Sequence, residues 1–215
     1  MILVVGAMKS EIELIIQRMK EVKKLPSFGF ELYKGLLSNK EIIVCISGIS
    51  KVPAAIALSS VLTNHKVDLI INIGLAGATK PYKIGDVVVI EEARFHDFDL
   101  TDFGYELGEI PRKPKFYTSS SKYMDKILSI VTKKGKLFTG DKFMLKQLPI
   151  SDGYLCDMEG AAFGLTAHSF SKNILMIKIV SDIIGTTNKE EFDSFESGTG
   201  KTIIYEVIEK VVALL

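Results

Sequence analysis

Tryptophan is absent from this chain, and cysteine and histidine are nearly so, with two and three residues in 215. Cys45 and Cys156 lie in apolar, strand-like stretches with no CxxC spacing and no histidine beside them in sequence. They read as buried reduced thiols, which fits a reducing cytosol. An excess of charge of one sign is also missing. The 27 Lys and Arg against 26 Asp and Glu leave a net charge of +1, with no basic stripe. Nucleic acid and anionic membrane are therefore poor expectations as partners. No apolar run reaches the roughly 18 residues of a membrane span. The opening "MILVVGA" is too short for a secretory signal and lacks its charged start. The expected location is cytoplasmic. There is no GxSxG nucleophile elbow and no GxxxxGK[ST] phosphate loop. "HDFD" offers His96, Asp97 and Asp99, but no second cluster joins them, and a metal site usually needs about three or four ligands. No metal and no cofactor are expected.

What the chain does have is apolar residues, 47% of the total, enough for a large core. Its length suits one α/β domain or at most two small ones, and with no linker, repeat or low-complexity tract a single domain over 1–215 is expected. "MILVVGA" reads as a buried strand. "KSEIELIIQRMK" then takes helical period, with Ile12, Ile15, Ile16 and Met19 on one side. "FELYKGLL" and "EIIVCISGI" form a strand pair around "SNK". "KVPAAIALSSVLTNH" is helical, with Pro53 tolerable in its first turn. "VDLIINIGLAGA" is a buried strand running into a glycine loop, and "GDVVVIEEARF" is another strand. Residues 96–120 lack period and read as a long loop. "SSSKYMDKILSIVTKK" is a helix with serines available as caps. "GKLFTGDKF" and "GYLCDME" are short strands, "EGAAFGLTAHSFSK" is a helix, "NILMIKIVSD" a buried strand, and "TGKTIIYEVIEKVVALL" a closing helix. This alternation predicts a mixed, largely parallel central sheet flanked by helices.

In such sheets ligands sit at the carboxyl ends of strands. Three acids fall there. Glu11 follows the first strand and leans toward Leu14 and Ile15. Glu159 follows "YLCDM" and shares a helical face with Ala162 and Phe163. Asp182 ends "NILMIKIVS", preceded by Ser181. The plain reading is that each is a first-turn acid favoured by a helix dipole. The functional reading is that all three converge on one pocket, where a buried carboxylate needs a partner, a raised pKa or a task. "GLAGA" could let backbone approach a ligand or could be a simple turn. Phe103, Phe143 and Phe192, taken singly, fit a core as well as a pocket.

The motifs together are more specific than any one of them. "VVGAMKSE", "SGISKVPAA", "INIGLAGA", "GDVVV", "HDFDLTDFGYELGEIP", "GDKF", "DMEGAA" and "VSD" occur in this order over nearly the whole chain. In this combination the chain resembles the 5′-methylthioadenosine/S-adenosylhomocysteine nucleosidases of the purine nucleoside phosphorylase superfamily. The resemblance implies a nucleoside phosphorylase-like fold and hydrolysis of a purine nucleoside to adenine and a 5-thio-substituted ribose. It implies that Glu11 deprotonates water, that Asp182 protonates N7 beside Ser181, and that Glu159 binds the ribose hydroxyls with Met158 beside the sugar. The backbone of Met144 would meet the adenine edge, and Met8, Ile49, Phe143 and Phe192 would line the pocket. Leu100, Phe103 and Pro111 would close the pocket of a second subunit, so a homodimer is implied.

Three positions depart from the family's habit. Leu75 stands where Ser or Thr is usual, Lys178 where Arg is common, and Ser50 where Gly is common. Lys178 keeps the positive charge that assists Glu11 but lacks the bidentate fork. A phosphorylase is disfavoured because Asn72 and Leu75 replace the Arg and Ser that would cradle phosphate. Another nucleosidase, acting on adenosine or 6-amino-6-deoxyfutalosine, and a weakly catalytic nucleoside-binding protein are the remaining alternatives.

Overall fold

The computed structural model describes residues 1–186 and 189–215. In chain order the elements are β1 (Ile2–Gly6), α1 (Lys9–Arg18), β2 (Lys20–Leu25), β3 (Glu31–Leu37), β4 (Lys40–Ile46), α2 (Lys51–Asn64), β5 (Leu69–Ala78) and β6 (Val87–Phe95). There follow β7 (Tyr117–Thr118), α3 (Ser121–Ile127), β8 (Lys133–Thr139), β9 (Leu155–Asp157), α4 (Gly160–Ser169), β10 (Asn173–Ile183), α5 (Lys189–Phe195) and α6 (Lys201–Leu214).

The long inner ladders are parallel, as the buried apolar runs predict. β1 lies between β4 and β5, and β5 pairs with β10 along its whole length. Antiparallel pairs join β2 to β3, β3 to β4, β6 to β10 and β7 to β6. The β3–β4 hairpin turns on Ser38 and Asn39, both at positive φ. That is the backbone a two-residue hairpin loop with native twist requires. Burial divides by sheet face. One face packs Leu3, Val5, Ile70 and Met176 beneath α2 and α4, and the other packs Val4, Ile71, Ile177 and Ile179 beneath α1 and α6.

One pairing positions the rest. β5 meets β1 through Leu69–Asn72, but meets β9 only at Gly77 and Ala78. β9 pairs with β8, β8 with β6, β6 with β10, and β10 with β5. These five strands therefore close a ring, while β1, β4, β3 and β2 fan out from the other edge of β5. Between the end of β1 and the end of the antiparallel β9, that edge of β5 faces a gap in the sheet.

Several sequence expectations need correction. "GLAGA" is not a loop, because β5 runs straight through it to Ala78. β2 was not anticipated: "KEVKKL" is exposed almost throughout and has no apolar face to signal a strand, and its lysines suit a sheet edge. The predicted long helix after Ser119 stops at Ile127, and no serine side chain caps it. α5 was also missed. Most of 96–120 is irregular as expected, with a 3-10 turn at Thr101–Phe103 and the short β7.

Candidate active site

The gap between β1 and β9 opens into a cavity of about 170 Å³ at the carboxyl ends of the parallel strands. Glu11, Glu159 and Asp182 all line it, together with Met8, Ile49, Leu75, Phe143, Met144, Met158, Ser181 and Phe192. Eleven of the fifteen residues expected from the sequence are thus brought to one place. Ala7, Ala76, Gly77, Lys142, Cys156 and Asp157 complete the lining.

Glu11 arrives from the third position of α1. Its Oε2 accepts the Ala7 N–H at 3.0 Å and the Met8 N–H at 2.9 Å, so it does cap its own helix. Its Oε1 crosses to β5 and accepts the Leu75 N–H at 2.8 Å, within the gap. The plain and functional readings of this acid therefore hold together. Gly74 makes the crossing possible, because a Cβ there would stand 2.7 Å from Glu11 Oε1. Burial raises the Glu11 pKa, and the three N–H donors and Lys178 only partly oppose this.

Glu159 precedes α4 and accepts the Ser50 N–H at 2.7 Å. Burial pushes its pKa to about 8, with Asp157 adding to the rise and Lys178 and the Ser50 N–H holding it back. Asp182 sits beyond a bulge in β10 and accepts the Ser181 hydroxyl at 2.6 Å. Burial lifts its pKa too, against the effect of that hydroxyl. Gly77 leaves the room, since a Cβ there would lie 2.8 Å from Asp182 Oδ2. Phe143 and Phe192 meet edge to face across the lining, with centroids 5.4 Å apart. That arrangement leaves flat apolar surface beside the acids.

Lys178 is not at the surface of the cavity. It lies beneath, fully buried, with Nζ 2.8 Å from Asp157 Oδ2. Burial pulls its pKa down, but Asp157, Glu159 and Glu11 outweigh that and leave it raised. Its effect on Glu11 is through space, and its ion pair is with Asp157. Asp157 was missed as a site residue. It also accepts the Thr139 hydroxyl at 2.5 Å and the Gly160 N–H at 2.8 Å. The signal was available: a lysine inside "ILMIKIV" demands a buried acid somewhere. Asn72 likewise lies below the cavity, where its side-chain amide donates to the Val5 carbonyl at 3.2 Å. It cannot serve as the cradle position that the sequence argument used.

Leu100, Phe103 and Pro111 do not line the cavity of their own chain, and Phe103 is 78% exposed. Among the described residues no group of three or more His, Cys, Asp and Glu is arranged to hold a metal. Asp97 and Asp99 of "HDFD" turn instead to Lys51 and Thr101.

Burying Glu159 carries a stability cost that depends on pH. Its pKa is higher folded than unfolded, so its contribution is greatest below the model-peptide value of 4.5 and is lost as pH rises through about 8. The isosteric Glu159→Gln cannot ionise. It should melt higher than the parent at pH 8, by an amount on the order of 3 kcal/mol, with the advantage shrinking toward pH 5. Thermal melts of both proteins across that range check this, and a difference independent of pH would contradict it.

With the geometry in hand, the relatives are informative. The sequence profile described as the phosphorylase superfamily matches residues 1–212. A 5′-methylthioadenosine/S-adenosylhomocysteine nucleosidase from Aeromonas salmonicida is 36% identical over 213 residues, 92% of this chain and 93% of that protein. The nucleosidase of the same description from Neisseria meningitidis, solved with methylthio-immucillin-A, superposes with a TM-score of 0.92 at 31% identity over 100% of this chain and 99% of that one. The Streptococcus pneumoniae MTA/SAH nucleosidase, solved with 8-aminoadenine, gives a TM-score of 0.92 at 26% identity, again over 100% and 99% of the two chains. The fold expected from the sequence is the fold observed, and the chain belongs to the phosphorylase superfamily and, within it, to the 5′-methylthioadenosine/S-adenosylhomocysteine nucleosidases.

Proposed function

We propose that this cavity cleaves the N-glycosidic bond of 5′-methylthioadenosine, S-adenosylhomocysteine or both with water, as a single nucleosidase domain serving methionine salvage. The observation that carries the reading is the convergence of Glu11, Glu159 and Asp182 in one largely apolar cavity. The products are adenine and a 5-thio-substituted ribose. Glu11, its pKa raised by burial, takes a proton from water as the oxygen attacks C1′. The N9–C1′ bond breaks, its electron pair passes to the base, and Asp182 delivers a proton to N7. Adenine then departs neutral. Glu159 accepts the ribose hydroxyls and faces the positive charge that grows at C1′, where a buried carboxylate acts more strongly than one in water. Phe143 and Phe192 offer their faces to the purine, the Met144 backbone its hydrogen-bonding edge, and Met8, Met158, Ile49 and Leu75 exclude water around the sugar.

Water is favoured over phosphate by the charge of the lining. Four carboxylates and one lysine, Lys142, surround the space where an anionic nucleophile would have to enter. A phosphate dianion would meet repulsion with one cation to offset it. The assay is adenine release from a panel of nucleosides in phosphate-free buffer, with the sugar product identified. Free thioribose is the expected product, and a phosphate requirement with ribose 1-phosphate formation would exclude hydrolysis. In the same assay Asp182→Asn and Glu11→Gln should each lose about 10²-fold or more in turnover. A substrate whose base leaves without protonation should partly restore Asp182→Asn and leave Glu11→Gln inactive. Equal restoration of both would mean the acid is misassigned.

The assembly we propose is a homodimer in which Leu100, Phe103 and Pro111 of one subunit close the cavity of the other. The exposed Phe103 supports it, as do Val52 and Ile56, 62% and 58% exposed on α2 beside Ile49 of the cavity mouth. Sedimentation should give twice the chain mass, and Phe103→Ala should raise KM. A fully active monomer is the contrary result. A small-molecule purine nucleoside is then the partner at each site, and no described helix is long and apolar enough to cross a membrane. Two free buried thiols, Cys45 among them with its pKa pushed to about 12, suit a reducing cytoplasm. Recovery of the protein in the soluble cytoplasmic fraction of cells checks that location.

A further inference from the structure

Ser50 has a backbone conformation that glycine adopts freely and other residues do not. Its φ is 93° and its ψ is 156°. This region is essentially reserved for glycine and persists elsewhere only when surrounding contacts enforce it. Those contacts can be named. The Ser50 N–H donates to Glu159 Oε1, and the Ser50 carbonyl accepts the Ala54 N–H at 3.2 Å as α2 begins. Asp141 then grips the same turn from outside the cavity. Its Oδ1 accepts the Lys51 N–H at 2.9 Å, and its Oδ2 lies 3.5 Å from the Lys51 ammonium. Asp97 holds Asp141 in turn. One Asp97 oxygen accepts both the Asp141 N–H at 2.8 Å and the Lys51 ammonium at 2.6 Å.

This bracket joins two walls of the cavity mouth. Lys51 opens α2, directly after Ile49 and Ser50. Asp141 leads into Lys142 and Phe143, which line the opposite side. Neither Asp97, Asp141 nor Lys51 lines the cavity itself.

We propose that Asp141, supported by Asp97 and Lys51, is a positioning residue that holds Ser50 in its glycine-like conformation, so that the Ser50 N–H meets Glu159 and the Ile49 and Phe143 walls keep one separation. The inference rests on the hydrolase reading above. Glu159 is faced by Asp157 from β9, Lys178 from β10, Glu11 from α1 and the Ser50 N–H from the turn before α2. Of these, only Lys178 and the N–H favour its ionised form, which is the form that accepts the ribose hydroxyls. Without Asp141 the serine relaxes to an ordinary φ and its N–H turns away. A glycine at position 50 would adopt the same conformation with no bracket.

The test is a double-mutant cycle of Asp141→Asn, Ser50→Gly and the pair, read by kcat/KM against pH and by melting temperature. Asp141→Asn should lower kcat/KM by about tenfold, chiefly through KM, and move the acid limb to higher pH as Glu159 loses a donor. Removing the Asp141 charge without moving Ser50 would shift that limb the other way. Ser50→Gly should raise the melting temperature, and in its background Asp141→Asn should cost less than about threefold. An equal penalty in both backgrounds, or an acid limb moved to lower pH, overturns the proposal. Failure of the parent enzyme to release adenine would instead refute the hydrolase reading. The melting temperatures would still decide the bracket, because Asp141→Asn should destabilise the serine protein and leave the glycine protein nearly unchanged.

Discussion

Four buried acids share one buried lysine, and the site depends on that imbalance. Glu11, Asp157, Glu159 and Asp182 are all buried, and among the described residues Lys178 is the buried cation that faces the first three. Its pair with Asp157 is held by two further donors, so Asp157 is the acid it neutralises. Breaking such a pair leaves an uncompensated buried charge, at a cost of about 3–5 kcal/mol. Among the described residues the other three carboxylates make no ion pair of their own. Burial raises the pKa of all three, and at Glu159 the neighbouring Asp157 and Glu11 add to the rise. Burial favours the protonated form of each of these acids, and positive charge developing in the cavity would favour the ionised form.

Topology brings those acids together. Glu11 comes from the first helix, Glu159 from a helix start beyond β9, and Asp182 from the last strand. They meet because β5 gives one edge to β1 and, further along, to β9, leaving a gap in which the Leu75 N–H is free to bind Glu11. Gly74 and Gly77 matter here for what they omit. A side chain at either would occupy the space of the Glu11 or Asp182 carboxylate. A glycine pair that looks like a loop in the sequence is therefore a strand kept bare on the faces where acids approach.

The elements with strong periodicity were legible: the amphipathic α1, the apolar runs of β1, β5 and β10, and the hairpin around Ser38 and Asn39. Residues whose role is set by long-range pairing were less so. β2 has a charged composition that only a sheet edge explains, and ring closure by the three-residue β9 leaves no local signature. The three acids could be located because each ends an apolar strand. Asp157 could be inferred only from Lys178, about twenty positions away in sequence, and the Asp97–Lys51–Asp141 bracket joins three segments by contacts that no local pattern encodes. Asn72, read in the sequence as a position without the phosphate-cradling arginine, lies under the cavity, where its side-chain amide donates to the Val5 carbonyl.

Leu75 shows how side chain and backbone divide the work at one position. A hydroxyl there would add a donor to the cavity, and leucine removes it. The backbone N–H at the same position is already committed to Glu11 and is indifferent to the side chain. The isobutyl group itself lines the cavity and is buried. Burial is the largest cause of the raised Glu11 pKa, so in the proposed reaction an apolar neighbour would strengthen Glu11 as a base while weakening the polar hold on sugar and water. One loss is a hydrogen bond of about 0.5–1.5 kcal/mol net, and the gain is of the same order for each pKa unit. The two effects oppose each other at a single residue, which is why a substitution that removes a donor is compatible with an otherwise complete set of acids.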